Sequence, residues 1–199
     1  MDVEILYEDR QIVVCVKPVG LDSEHQMPEE LKNKLGGEIY PVHRLDMNVG
    51  GVMLYARTRA AAAHFSGLIQ SNLLVKEYVA CVHGTPPENG VWEDLLFKDR
   101  SKNKVFVVQR QRSGVKKAKL EFARLTAQER SVVRIRLHTG RSHQIRVQFA
   151  SRGFPLVGDH KYGARDDVKA PMLFSCCLRF PYGEGEVSFS KLPPWAQEL

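Results

Sequence analysis

Apolar positions in this chain recur mostly at every second residue, in short runs broken by Gly, Pro, Asn and Asp. That period predicts strands. VEILYED and QIVVCVK read as two of them, the second closed by a turn at Pro18 and Gly20. PEELKNKL predicts a short helix with Pro28 at its start, where a missing N–H costs nothing. VMLYAR reads as a buried strand behind the glycine pair Gly50 and Gly51. The period then lengthens: TRAAAAHFSGLIQSN predicts a helix capped by Thr58, with Phe65, Leu68 and Ile69 facing inward.

From Val75 on, strands return as VKEYVACVHG, KVFVVQR, KKAKLEFARLTA and RSVVRIRLHTG. In the last of these Val133, Ile135 and Leu137 alternate with Arg134, Arg136 and His138, so one face is apolar and the other cationic. HQIRVQFASRG predicts a helix capped by Ser142 and ended by Gly153. LVGDHKYG is a strand-to-turn passage, and MLFSCCLRF and EVSFS are closing strands. Strands outnumber helices and many are joined by short turns. The fold class expected is α+β, with a mixed, largely antiparallel sheet and inserted helices. No repeat and no Gly/Ser-rich linker divides the chain, so a single domain over residues 1–199 is expected.

Composition narrows this reading. At 199 residues and 43% hydrophobic content the chain can bury a substantial core. Its apolar runs fall far short of the roughly 20 residues that span a bilayer, and MDVEILYEDR lacks the form of a signal peptide. A soluble, cytoplasmic protein with no membrane partner is expected. Cys15, Cys81, Cys176 and Cys177 show neither a CxxC pair nor metal-ligand spacing, which predicts packed thiols. Charge is uneven. Between Lys98 and Lys119 stand nine Lys or Arg against one acid, Asp99, a local +8 in a chain of net +6. A basic stretch on a body near −2 fits either a solvated hairpin or a grip on a polyanion, nucleic acid being the usual one.

Three polar segments interrupt the apolar pattern: HRLDMNVGGV, KEYVACVHG and LHTGRSHQIRV. Asp46 in the first is by itself an ordinary turn carboxylate. The glycines after it argue for a tight turn or a close approach of a ligand. Arg141, between Gly140 and a helix start, could clamp a carboxylate with a forked guanidinium. His138 and His143 lack a third ligand in phase, so no metal site is expected. No GxSxG elbow supports a serine hydrolase.

In that order HRLDMNVGG, KEYVACVHG and HTGRSHQIRVQFASRGFPLVGDHKYG resemble the RluA-type RNA pseudouridine synthases. KPVGL resembles that family's first motif, and the similarity runs from about Leu6 to Phe180. There are departures: Val49 and Gly50 stand where Thr-Ser is usual, Val16 where Asn is common, and Leu173-Phe174-Ser175 where Leu-His-Ala is usual. These leave the aspartate, tyrosine and arginine in place and bear on substrate choice. The chain opens straight into the catalytic region, so a short form without the family's N-terminal S4 RNA-binding domain is expected.

The resemblance implies the pseudouridine synthase catalytic fold and an isomerase acting on uridines of ribosomal or transfer RNA. It makes Asp46 the catalytic carboxylate, Tyr78 the tyrosine that stacks on the flipped base, and Arg141 the partner of the aspartate. Leu173 would wall the base pocket, with Arg44 and His43 as substrate-side residues. Lys116, Lys117 and Lys119 would grip phosphates. The reaction has no redox step and adds no group, so no cofactor is expected. RNA is the expected partner, not DNA, and a monomer the expected state. Whether the aspartate attacks the sugar, attacks the base or takes a proton from C2′ stays open. Two rival readings are a non-catalytic RNA-binding module, separable by a tritium-release assay, and a nucleosidase-like hydrolase, which would release free uracil.

Overall fold

A computed structural model describes residues 3–197. Its backbone falls into two compact units, one running to Glu77 and resuming at Phe174, the other Tyr78–Leu173. The single domain expected over 1–199 remains a proposal beside that division. Strand pairing is mixed and mostly antiparallel and helices are few, so the α+β class holds.

In the first unit the two strands expected at the start of the chain, β1 (Glu4–Glu8) and β2 (Ile12–Lys17), form an antiparallel pair. β2 also pairs antiparallel with β4 (Gly50–Ala56), whose other edge carries the short β3 (Tyr40–Pro41) and, in parallel, β10 (Leu173–Tyr182). β11 (Gly185–Ser190) closes the sheet as a hairpin on β10. β2 and β4 are buried on both faces, which is why their sequences read as unbroken apolar runs.

On one face Ile12, Val14, Val52, Leu54, Leu178 and Phe180 pack against Phe65 and Leu68 of α2 (Arg59–Gln70). Thr58 caps that helix as expected, its Oγ1 accepting from the Ala61 N–H at 3.1 Å. α1 (Gln26–Leu35) begins two residues before the position predicted from Pro28. Its entry is fixed by Asp22, whose Oδ1 accepts from the N–H groups of Glu24 and His25. Pro28 still sits in the first turn, where no intrahelical donor is lost.

The second unit has the strand order β5 (Val75–His83, from Tyr78 on), β9 (Arg130–Leu137), β8 (Val115–Arg124), β6 (Asn89–Asp99) and β7 (Lys104–Val108). β6, the longest strand, was not predicted. One face of this sheet is covered by α3 (Gln144–Ala150), and Leu96, Val105 and Ala118 pack with Val147 and Tyr162. Trp92, Phe122 and Phe149 form an aromatic cluster beside them, with centroids 4.3 to 5.4 Å apart. The other face is open along the described strands, where Phe106, Lys117, Ala123 and Arg134 are exposed.

Candidate functional site

Asp46 lies in the loop between β3 and β4, half-buried, and its position is set by the residues on either side of it. Leu45 is buried and tied twice to Ser23: the Ser23 hydroxyl donates to its carbonyl at 2.9 Å, and its N–H donates back at 3.2 Å. The Met47 carbonyl accepts from the Gly20 N–H at 2.8 Å and from Lys17 Nζ at 3.2 Å. A turn closed by the Val49 N–H on the Asp46 carbonyl leads straight into β4. The carboxylate is thus presented by a backbone pinned from both sides, the preorganisation a reacting group requires.

The glycine pair belongs inside β4, not before it. Gly51 has φ +129°, and a Cβ there would lie 2.4 Å from the Ser175 backbone. The close approach is made by a neighbouring strand of the same unit, in parallel register with Gly50 and Gly51.

Lys17 is fully buried at the end of β2. Its ammonium donates to three carbonyls, Pro18 at 2.9 Å, Leu21 at 2.8 Å and Met47 at 3.2 Å, which uses all three protons. Burial brings its pKa down to about 8, while the charges of Asp22 and Asp46 oppose the fall. Sequence reasoning passed over Lys17, which stands there only as the first residue of KPVGL. A lysine directly after an all-apolar strand was the signal that could have found it.

His43 turns its ring inward. Nε2 accepts from the Leu54 N–H at 3.0 Å, which places the proton on Nδ1, a buried atom with no hydrogen-bond partner. Burial, with Lys76 adding to it, pushes this imidazole down to about 3, so it is neutral at physiological pH. Arg44 points outward and pairs with Glu24 at 2.7 Å. An exposed pair of this kind is worth at most about 1 kcal/mol and is readily exchanged for another anion.

The remaining predicted residues lie in the second unit. Tyr78 is buried in β5, and Leu173, also buried, opens β10. Arg141 is half-buried, and its guanidinium Nε donates to the Lys117 carbonyl at 2.9 Å. Its N–H donates to Gln144 Oε1 at 3.0 Å, and the same oxygen accepts from Thr139 Oγ1 at 2.8 Å. Gln144 therefore organises the approach to α3, and the cap predicted for Ser142 is not made. The N-cap position is His143, in a left-handed conformation with φ 50°. His143 Nδ1 instead pairs with the Tyr162 hydroxyl at 2.8 Å, and His138 Nε2 with Glu121 at 3.2 Å.

α3 is anchored by a buried ion pair, Arg146 to Asp159, with Nε–Oδ2 at 2.7 Å and Nη2–Oδ1 at 2.8 Å. A second acid, Asp166, holds His83 at 2.6 Å and accepts from the N–H groups of Gly158 and Val168. Desolvation works to raise its pKa, but those backbone donors and His83 hold it well below the ordinary carboxylate range. The pair has the look of an acid–base couple, yet both carboxylate oxygens are engaged in closing the 158–168 loop.

The basic segment divides by register. Lys117 faces the same side of the sheet as Leu95, and Lys119 the same side as Glu93, with which it pairs at 2.7 Å. Lys116 points to the opposite face.

The sequence profile of the RNA pseudouridylate synthase family matches residues 11–151. The chain belongs to that family. It is 35% identical over 181 residues to the dual-specificity RNA pseudouridine synthase RluA of Salmonella typhi, covering 85% of this chain and 81% of that protein. It is 31% identical to the uncharacterized RNA pseudouridine synthase YlyB of Bacillus subtilis, covering 84% and 60%. With the mitochondrial tRNA pseudouridine(32) synthase of Saccharomyces cerevisiae the identity is 32%, covering 83% and 38%. The chain thus spans about three fifths or less of these last two relatives. Among solved structures, human RNA pseudouridylate synthase domain containing 1 shares the fold, with TM-score 0.86 and 22% identity over 99% of this chain and 86% of that one.

Proposed function

We propose that this chain is an RNA pseudouridine synthase, with Asp46 as the catalytic carboxylate. The observation that carries the reading is the double pinning of the Asp46 backbone, by Ser23 on Leu45 and by Lys17 and Gly20 on Met47, in a chain of this family. The reaction breaks N1–C1′ of a uridine, turns the uracil and rejoins it through C5, and the C5 proton is exchanged for one on N1. No atom is gained or lost, so the requirement is a placed carboxylate at the sugar–base junction together with groups that hold the base.

The uridine must leave its stack first, at a cost of a few kcal/mol that a loop position reduces. Tyr78 has the aromatic ring suited to receiving the base, and Leu173 the apolar surface suited to walling it. Arg141, fixed through the Lys117 carbonyl and Gln144, offers a guanidinium with free N–H directions for an anionic group. Lys117 and Lys119 supply charge for phosphates, which position RNA without reading sequence.

The test is tritium release from RNA labelled at uridine C5, with mass-labelled mapping of pseudouridines in RNA from cells with and without the gene. Formation of pseudouridine at defined sites, lost in Asp46→Asn, is the expected result. RNA binding without tritium release would leave a binding module only. Release of free uracil would point to a hydrolase.

A further inference from the structure

The open face of the second unit's sheet is not a generic solvated surface. Strand register places Leu95 and Phe97 of β6, Val108 and Phe106 of β7, and Lys117 and Val115 of β8 on this one face, in two rows. One row is Lys117, Leu95, Val108 and the other is Val115, Phe97, Phe106. Strands lie about 4.8 Å apart, so each row extends roughly 10 Å. Phe106 is 37% exposed, high for a phenylalanine, and stands directly opposite Phe97. The Arg112 guanidinium lies 4.8 Å over the Phe97 ring, and Lys104 Nζ is 5.8 Å from the centre of Phe106. The first row starts at Lys117, whose carbonyl holds Arg141.

We propose that this face is a stacking platform for unpaired RNA, with bases on Phe106 and on the Arg112–Phe97 stack and phosphates on Lys104 and Lys117. The inference rests on the reading of the chain as an RNA-modifying enzyme. Charge complementarity selects this occupant: the rings are bordered by Lys104, Arg112 and Lys117, with Asp99 the acid nearest them on the strands. Rings on an open sheet with cations around them accept any base, because every base has a π face.

The test measures binding of the full chain to two fluorescent probes, a twelve-nucleotide oligoadenylate and an abasic ribose-phosphate chain of the same length. Oligoadenylate should bind more tightly than the abasic chain. Phe106→Leu should weaken oligoadenylate binding by roughly tenfold and leave abasic binding unchanged, while Phe106→Trp should restore it. Thermal unfolding and sedimentation of each variant show whether it is folded and monodisperse. Equal binding of the two probes, or full affinity in folded Phe106→Leu, would overturn the platform. So would a change in oligomeric state in Phe106→Leu, since the patch would then be a protein interface. The wild type's tritium release is read separately. Release with unchanged Phe106→Leu binding sinks the platform alone, and a Phe106-dependent preference for bases without release sinks the catalytic reading alone.

Discussion

Replacing Lys17 with Met keeps the unbranched stem of the side chain and removes the ammonium. Three carbonyls, those of Pro18, Leu21 and Met47, then lose this donor at a buried side chain, that of Met47 retaining the Gly20 N–H. Hydrogen bonds from a charged donor contribute about 1.5–3 kcal/mol each, so the three together contribute roughly 5–9 kcal/mol. Against that stands the cost of burying the charge. The fall in pKa from 10.5 to about 8 corresponds to about 3 kcal/mol, and the variant recovers it. The expected net loss is about 2–6 kcal/mol, or a fall in Tm of roughly 10 °C for a chain of this size.

The pH dependence has a definite sign. Between about 8 and 10.5 an unfolded Lys17 holds a proton that the folded one has released, so this group makes stability rise with pH across that window. Below about 8 the cost of the buried charge is present in full. Urea unfolding across pH 7–10.5 should show a steeper rise in wild type than in Lys17→Met, since the buried Lys76, whose pKa is also lowered by desolvation, adds its own rise to both. Because Met47 follows Asp46, the variant should also lower single-turnover pseudouridine formation by roughly 10–100-fold, the scale of a 1 Å misplacement. RNA affinity should hold within a few-fold. A Lys17→Met protein with wild-type stability and rate would refute the idea that Lys17 holds the Asp46 loop.

Asp46→Asn should reduce pseudouridine formation by at least roughly 10³-fold, since the amide is neither nucleophile nor base; activity within tenfold of wild type removes it from the catalytic role. Arg141→Lys should lose most of its activity despite keeping the charge, because lysine cannot both bond the Lys117 carbonyl and present a fork; a fully active variant in the tritium-release assay would refute that. Asp159→Ala leaves Arg146 buried without its carboxylate and should cost about 3–5 kcal/mol in urea unfolding. Changing Lys116, Lys117 and Lys119 together to Ala should weaken binding to target and scrambled RNA alike, with the log–log salt slope shallower by roughly 0.7 for each phosphate no longer neutralised. Lys116 lies on the opposite face, so Lys116→Ala alone should matter least; a wild-type slope in the triple variant would leave the segment a solvated surface.

What could be read from the sequence follows from how local each cause is. β2, β4 and α2 were legible because burial on both faces, or a Thr58 cap three residues from its donor, leaves a mark within a few positions. β6 was missed because both of its faces carry apolar residues: Trp92 and Leu96 point toward α3, while Val91, Leu95 and Phe97 lie on the open face. Its alternation is therefore blurred, and the blur is itself a sign that the open face has use for apolar rings. The cap of α3 was misread for another reason. Ser142 has the composition of a cap, but Gln144 folds back to take the Arg141 and Thr139 donors, and His143 adopts a left-handed turn to let it do so. The motifs located Asp46, yet what fixes it is distant in sequence: Ser23 lies 22 positions before Leu45, and Lys17 30 before Met47. A motif singles out the carboxylate, while the atoms that hold its backbone come from elsewhere in the fold. That is why KPVGL, silent about chemistry, carries the lysine on which the Asp46 loop rests.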